Sequence, residues 1–349
     1  MTIRERVLER FFRSRVVADH LDEAARRATP TPEHDPASWP PYRPDPYAAP
    51  GTSGRGAESR PAIFITGRFR SGSTLLWNMF NKLGPFTAYY EPLNERQWFL
   101  MQDRRVDPTH IGVDDYHANY DGMKDLAALF DRTWIRQRLY MNRMATDWNM
   151  LAYIDALVER AARMPVLQFN RVDFRLEWLK AHYPKARILH IYRSPRDQWI
   201  SSLHGAALFK DVTVAAFRNH DRFYLRAWSE NLQNVFPFLK VPPDESPYVP
   251  FYLLWRMSYL FGTHYADASV AFEDLAGDPR GRLEDALGRM DVEREDIDWS
   301  AIDGLVAPVK QGKWRQFADE DWFAAKEAQC ERVLRGTFGP PDTGAGATP

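Results

Sequence analysis

Short runs of apolar residues alternate along this chain with stretches in which apolar residues recur every three or four positions. The first run, residues 62–66, ends at Gly67 and predicts a buried strand. Helical spacing then continues from Leu75 to Leu83. Further strands are predicted at residues 166–169, 186–192 and 269–272, and further helices at 121–145, 150–163, 174–184, after Pro195 and at 280–290. This alternation indicates the α/β class, a three-layer fold in which a parallel sheet carries helices on both faces, with helical insertions.

The two ends of the chain differ from its middle. Residues 1–28 place apolar residues at helical spacing among many arginines, which predicts an amphipathic helix. We expect that helix to pack on its own domain or on a neighbouring subunit, and in the second case the protein would be a homodimer. Binding to a membrane surface is the less favoured alternative. Residues 29–60 contain eight prolines and predict an extended linker. The catalytic domain is expected at residues 61–338 and a flexible tail at 339–349.

The composition of the chain argues against several classes of function. Of 349 residues, 44% are hydrophobic and 27% are charged, as is ordinary for a soluble enzyme. The formal net charge of −1 gives no sign of nucleic-acid binding, so an anion site must be local. The single cysteine, Cys330, excludes a disulfide framework and a thiolate metal cluster. Neither an apolar leader nor a transmembrane segment is predicted, because residues 251–261 are short and interrupted by Arg256, so we expect a cytoplasmic protein.

The segment after the first predicted strand has the glycine spacing of a phosphate-binding loop. Residues 67–74 read Gly-Arg-Phe-Arg-Ser-Gly-Ser-Thr, close to the pattern G-x-x-x-x-G-K-[ST]. Ser73 stands where that pattern has lysine, and a cation, Arg70, lies three residues earlier. An ordinary capped turn would explain the glycines but not the strand, hydroxyls, arginine and helix together, and a helix N-terminus suits an anion. The candidate anion-binding residues are Arg70, Ser71, Gly72, Ser73 and Thr74.

A second junction between a strand and a helix lies at residues 192–197. Ser194, Pro195 and Asp197 are residue types that begin helices, so local capping chemistry accounts for them. Capping does not account for Arg193, which follows the carboxyl end of a predicted parallel strand, where α/β sheets bind ligands. Ser201 adds a hydroxyl eight residues further on.

With these motifs the chain resembles the P-loop sulfotransferases, which use 3′-phosphoadenosine 5′-phosphosulfate (PAPS). Residues 70–74 resemble their 5′-phosphosulfate loop, and Arg193 with Ser201 matches their 3′-phosphate motif. Residues 271–279 resemble their Tyr-Glu-Asp-Leu-x-x-Asp-Pro segment, so three motifs occur in order within residues 61–320. The resemblance implies PAPS as co-substrate and a hydroxyl-bearing acceptor, which could be a carbohydrate, a lipid or another small molecule.

The same resemblance assigns roles to the charged residues. Arg70 would stabilise charge on the departing phosphate, either alone or together with Arg68 or Lys313. A sulfuryl group carries less charge than a γ-phosphoryl group, so Mg²⁺ is less necessary and no metal is expected. Residues 309–314 resemble the cationic loop that closes over the 3′-phosphate, which adds Lys310, Gly312 and Lys313 to the cofactor-binding candidates. A solvated lysine pair is the alternative interpretation of that segment.

Glu91 is the candidate general base. It lies in Tyr-Tyr-Glu-Pro, which resembles the Tyr-Glu-Pro segment of carbohydrate sulfotransferases, and the tyrosylprotein branch has its catalytic glutamate at a similar place. The alternative is a surface carboxylate before a proline turn. Residues 169–172, where the small-molecule branch has a histidine base, contain none, and Arg171 there either faces the ligands or forms an ion pair. Leu75 replaces the tryptophan that the cytosolic branch places on adenine, so another residue must take that role.

Two other functions fit parts of this pattern. A P-loop nucleotide kinase or NTPase would need a lysine near Ser73, which the sequence lacks. A non-catalytic nucleotide-binding relative could keep Arg193 and lose its base. The presence of Glu91 favours an enzyme over that relative.

Overall fold

The computed structural model describes residues 60–101, 105–107, 110–203, 211–292, 296–306 and 311–339. The predicted N-terminal helix and nearly all of the predicted linker lie outside these ranges, as do Lys310 and residues 340–349. Among the helices that are described, none is long and apolar enough to cross a membrane.

A parallel sheet of five strands forms the centre of the described structure, in the spatial order β2-β3-β1-β4-β5. The strands are β1 (Ala62–Thr66), β2 (Phe86–Tyr90), β3 (Met164–Phe169), β4 (Ala186–Tyr192) and β5 (Ala268–Ala271). The central strand β1 is buried at every position, as expected when both faces of a sheet are covered. The apolar pattern predicted β1, β3, β4 and β5 to within two residues at each end.

The α-helices of the described residues surround this sheet. They are α1 (Ser73–Lys82), α2 (Trp148–Arg160), α3 (Leu176–His182), α4 (Pro195–Ser202), α5 (Leu225–Leu232), α6 (Tyr248–Tyr265), α7 (Phe272–Gly277), α8 (Pro279–Arg289) and α9 (Glu320–Phe338). The β1–α1–β2 and β3–α3–β4 connections run in opposite directions across the sheet. Because such crossovers are right-handed, α1 and α3 cover opposite faces. The predicted α/β class with helices on both faces is confirmed.

Residues 121–145 do not form the predicted helix. Two short 3₁₀ helices, Lys124–Ala128 and Arg132–Ile135, lie there instead. The buried guanidinium of Arg175 donates to the backbone carbonyls of Trp134, Gln137 and Arg138. A side chain therefore replaces the N–H donors that a continuous helix would supply to these carbonyls.

Of the five described strands, β2 is the one that the apolar pattern missed, and helices α5, α6, α7 and α9 were not predicted either. The β2 sequence Phe-Thr-Ala-Tyr-Tyr follows Gly84-Pro85 and lacks a run of β-branched aliphatic residues. It is fixed by pairing with β3, and the Trp77 indole of α1 donates to the Ala88 carbonyl oxygen at 3.0 Å. Glu91, the candidate base, directly follows the carboxyl end of this strand.

Candidate active site

The carboxyl ends of the five strands meet at one edge of the sheet, and each leads into a candidate site residue. In the strand register, Thr66 at the end of β1 is paired with Phe169 of β3 and with His190 of β4. The residues that follow are the loop 67–72 after β1, Glu91 after β2, Asn170 and Arg171 after β3, Arg193 after β4 and Phe272 after β5. This edge is where open α/β sheets bind their ligands.

A cleft of about 1020 Å³ opens at this edge, large enough for a nucleotide and a second small molecule. The sequence-predicted residues that line it are Arg70, Gly72, Ser73, Thr74, Glu91, Arg193, Ser201 and Lys313. Ser71 lies beneath this surface and is fully buried. Lys310 lies outside the described residues, so its predicted role has no structural counterpart here.

Two glycines allow the loop after β1 to fold tightly. A Cβ on Gly67 would lie 2.5 Å from the backbone oxygen of Ile191 on β4. Gly72 precedes α1 with a φ of 94°, in the left-handed region, and a Cβ there would lie 2.1 Å from the ring of Phe272. The loop therefore turns directly into the N-terminus of α1, where N–H groups without intrahelical partners are available to an anion.

Replacing Gly72 with alanine is expected to destabilise the protein. The left-handed backbone costs a residue with a Cβ about 1–2 kcal/mol, and the contact with Phe272 adds to this, so Tm should fall by about 4 °C or more. Thermal unfolding measures the effect. Gly336→Ala, inside α9, is the matched control, because its Cβ would meet no described atom within 4 Å and should stabilise the protein by about 0.5–1 kcal/mol. A Tm for Gly72→Ala equal to that of the wild type would contradict this view of the loop.

The two anion motifs, 123 residues apart, form one cationic group. The Arg70 Nε donates to the Ser201 Oγ at 3.1 Å, and the Arg193 Nη1 donates to the Arg70 carbonyl oxygen at 3.4 Å. The Arg193 guanidinium also lies 4.7 Å from the ring centre of Phe272. Burial lowers the pKa of Arg193, against the opposing effect of the nearby carboxylates Glu273 and Asp197.

Asp197 does not have the predicted capping role. At the start of α4, Pro195 occupies the expected first turn, but the Ser194 side chain makes no cap. The Ser194 N–H instead donates to the Glu273 Oε1 at 3.0 Å. Asp197 accepts from the Gly312 N–H at 3.1 Å, so it ties the segment that carries Lys313 to the start of α4.

Glu91 is held by donors on both carboxylate oxygens. The Asn170 amide donates to Oε1 at 2.6 Å, and the Asn94 amide donates to Oε2. The Arg171 Nη1 lies 3.5 Å from Oε2. The Glu91 side chain is 11% exposed and lines the cleft, which differs from the surroundings of an ordinary surface carboxylate.

Arg171 forms ion pairs and also lines the cleft, so both of the roles expected for it remain open. Its Nη2 lies 2.6 Å from Oε2 of Glu95, and its side chain is 2% exposed. Burial lowers the pKa of Arg171, but Glu91 and Glu95 more than offset this and raise it overall. Burial raises the pKa of Glu95, yet Arg171 and the donated hydroxyl of Tyr224 bring it below its ordinary value.

Comparison of the sequence with models of protein families identifies the family of this chain. The model of the sulfotransferase family matches residues 61–255, which is more than half of the chain. This chain belongs to the sulfotransferase family. No curated protein matches the chain.

Solved sulfotransferase structures resemble this sulfotransferase at low sequence identity. The sulfotransferase from Alicyclobacillus acidocaldarius is 16% identical with a TM-score of 0.38, over 81% of this chain and 98% of that one. The sulfotransferase domain of the Synechococcus PCC 7002 olefin synthase is 14% identical with a TM-score of 0.35, over 81% and 98%. Sulfotransferase STF1 of Mycobacterium tuberculosis H37Rv is 15% identical with a TM-score of 0.35, over 80% and 77%.

Arg68 of this sulfotransferase lies apart from the cleft. Its guanidinium packs on the Trp228 ring at 4.8 Å, and its Nη1 lies 4.0 Å from the Asp173 Oδ2. Burial lowers the pKa of Arg68, against the opposing charges of Asp173 and Asp221. Arg68 and Lys313 were the two residues expected to help Arg70 stabilise the departing phosphate, and of these two only Lys313 lines the cleft.

Two cleft residues of the sulfotransferase, Tyr90 and Phe272, lie in motifs found in the sequence but had no role assigned from it. The Tyr90 hydroxyl is hydrogen-bonded to the Thr74 Oγ1 at 3.0 Å, which joins β2 to the start of α1. Burial raises the pKa of Tyr90 well above its ordinary value. Phe272 follows β5 and closes the other end of the cleft. Only the strand order places these residues together, and that order is not written in any local pattern.

His110 also lines the cleft, and no role was assigned to it from the sequence. The Tyr116 hydroxyl accepts from the Asp107 N–H at 3.0 Å and is hydrogen-bonded to the His110 Nδ1 at 2.5 Å. Burial lowers the pKa of His110, against the opposing charge of Asp107. His264 packs on Tyr265, and His204 lies outside the described residues.

Proposed function

We propose that this protein transfers the sulfuryl group of PAPS to a hydroxyl group of a small acceptor. The observation that carries the proposal is the contact between the two anion motifs, Arg70 with Ser201 and Arg193 with the Arg70 backbone, in a cleft that Glu91 also lines. Strand order puts Glu91 and Arg193 on opposite sides of the phosphate loop. This arrangement suits a donor with two separate anionic groups and an acceptor beside the base.

One buried polar atom supports a fit to such a donor. Arg193 lines the cleft, and its Nε is inaccessible and makes no hydrogen bond to any described residue. A buried donor without a partner is costly, so this guanidinium calls for a ligand oxygen.

In this proposal each motif holds one end of PAPS. Arg70, Ser71, Gly72, Ser73 and Thr74 hold the 5′-phosphosulfate, and Arg193, Ser201 and Lys313 hold the 3′-phosphate. The Gly312 N–H already donates to Asp197, so this glycine would serve by its left-handed backbone, with a φ of 77°, and not as a phosphate donor. Phe272 is an aromatic cleft residue beside Arg193, and it is our candidate for the adenine platform that Leu75 cannot provide.

PAPS, when bound, supplies a sulfuryl group on a phosphosulfate anhydride. Glu91 would take the proton of the acceptor hydroxyl on a carboxylate oxygen, which makes that hydroxyl a nucleophile. Arg70 and the N–H groups at the start of α1 would stabilise the negative charge that collects on the departing 5′-phosphate. Lys313, tied to α4 through Asp197, would add positive charge at the same cleft.

Transfer of labelled sulfate from PAPS into a fractionated metabolite extract tests the proposal and does not require the acceptor to be identified first. We expect label in a discrete fraction, in a product that mass analysis finds heavier by one SO₃ group. A parallel reaction with γ-labelled ATP and Mg²⁺ is the comparison. Label incorporated from ATP and not from PAPS would overturn the proposal in favour of a kinase.

A further inference from the structure

Arg171 is a single buried cation between two carboxylates. Its Nη2 lies 2.6 Å from the Glu95 Oε2, and its Nη1 lies 3.5 Å from the Glu91 Oε2. Its Nη1 also donates to the Asn170 Oδ1 at 2.6 Å, and its guanidinium lies 5.0 Å from the ring centre of Phe69. The Glu95 side chain is 39% exposed, whereas the Arg171 side chain is 2% exposed. The cation is therefore cut off from water, and its charge balance depends on these two acids.

The other ionisable groups that face this cluster keep a constant charge near neutral pH. Those that interact with the acids or with Arg171 are Tyr90, Tyr116, Tyr120, Arg136, Arg175 and Tyr224. Burial raises the pKa of each of these tyrosines, so they remain neutral. The arginines remain charged. Glu91 and Glu95 are therefore the two carboxylates with which Arg171 pairs in this cluster.

Proton uptake by Glu91 removes one of the two ion-pair partners of Arg171. A buried cation without a partner is strongly unfavourable, so in the absence of Glu95 that step would be resisted. With Glu95 ionised beside it, Arg171 keeps a carboxylate at all times. The Tyr224 hydroxyl, donated to the Glu95 Oε1, holds that carboxylate in place.

We propose that Arg171 and Glu95 are positioning residues. Arg171 pairs with both Glu91 and Glu95 at first, and it pairs with Glu95 alone once Glu91 has taken the acceptor proton. This inference rests on the proposed role of Glu91 as the base. The proton moves from the acceptor oxygen to Glu91, and no charge enters or leaves the Arg171–Glu95 pair. Glu95 touches neither the acceptor proton nor the donor in this scheme.

The dependence of kcat/KM on pH separates this role from a merely structural one. In Glu95→Gln, protonation of Glu91 would leave Arg171 without a carboxylate, so Glu91 becomes a weaker base. The acidic limb of the profile should move to lower pH by about one unit, and kcat should fall. In Arg171→Met, Glu91 and Glu95 face each other without a cation, so the same limb should move to higher pH by about one unit. Arg171→Lys keeps the charge and should leave the limb near that of the wild type.

The probe is PAPS together with the metabolite fraction that the wild type labels. Binding of adenosine 3′,5′-bisphosphate checks that each variant is folded. Glu95→Gln changes a partly exposed side chain, so it still tests the inference if Arg171→Met does not fold. The inference is overturned if the acidic limb of the kcat/KM profile does not move in Glu95→Gln, or if it moves to higher pH as in Arg171→Met. Transfer of sulfate from PAPS by the wild type would be unaffected by that result. A wild type that transfers nothing from PAPS overturns the proposed function and this inference with it.

Discussion

Replacing Glu91 with glutamine is expected to reduce kcat by about 10²–10⁴-fold and to leave nucleotide binding nearly unchanged. Glutamine keeps the size of the side chain and can still accept from Asn170, but it cannot take a proton from the acceptor. Glu91 lies after β2, whereas the two motifs proposed to bind the nucleotide follow β1 and β4, so binding of the bisphosphate should not depend on Glu91. Steady-state transfer of labelled sulfate and calorimetric titration with adenosine 3′,5′-bisphosphate measure the two effects separately.

Glu284→Gln is the matched control for this experiment. Glu284 is a surface carboxylate of α8 that pairs with Arg280 at 2.9 Å, and it is not among the residues that line the cleft. Its replacement should change neither kcat nor binding. Wild-type turnover in Glu91→Gln would show that another group takes the proton.

Replacing Arg193 with alanine is expected to weaken adenosine 3′,5′-bisphosphate on the order of 10- to 100-fold, and 5′-AMP far less. A charge-assisted hydrogen bond to phosphate contributes about 1.5–3 kcal/mol, and only the bisphosphate carries the 3′-phosphate that Arg193 would meet. Because Arg193 also contacts the Arg70 carbonyl oxygen and Phe272, a small loss for 5′-AMP is expected as well. Calorimetric titration of both nucleotides gives the ratio.

Arg187→Ala provides the control on the same strand. Arg187 is the second residue of β4, at the opposite end from Arg193, and its guanidinium lies 3.5 Å from Asp291. Its removal should affect the two nucleotides equally and little. Equal losses for both nucleotides in Arg193→Ala would place the 3′-phosphate at another group.

The sequence predicted the strands and helices that are marked by a pattern of neighbouring residues. Strand β4 has the predicted bounds, Ala186–Tyr192, because a mostly apolar run ends at residues that begin a helix. The pattern missed strand β2 and was wrong about residues 121–145, since pairing with β3 and the donors of Arg175 override local preference there. The residue types of the phosphate loop and of the Arg193 motif could be found from spacing alone.

The contacts between these motifs could not be predicted, because they depend on strand order. Arg171 meets Glu91 and Glu95 since β3 lies next to β2 in the sheet, although Arg171 and Glu95 are 76 residues apart in the chain. Local residue types suggested a capping role for Asp197, whereas its bond to Gly312 comes from a segment 115 residues away. Local patterns therefore indicate the chemistry of the site, and the sheet determines which residues meet there.

The central claim is that the cleft binds a nucleotide with phosphates at its 3′ and 5′ positions and needs no metal to do so. Thermal unfolding in EDTA with adenosine 3′,5′-bisphosphate, compared with Mg·ATP, tests it most directly. At a ligand concentration 100 times Kd, binding adds about 2.7 kcal/mol, so Tm should rise by about 5 °C with the bisphosphate in EDTA. A rise in Tm with Mg·ATP and none with the bisphosphate would contradict the claim and favour a P-loop kinase or NTPase.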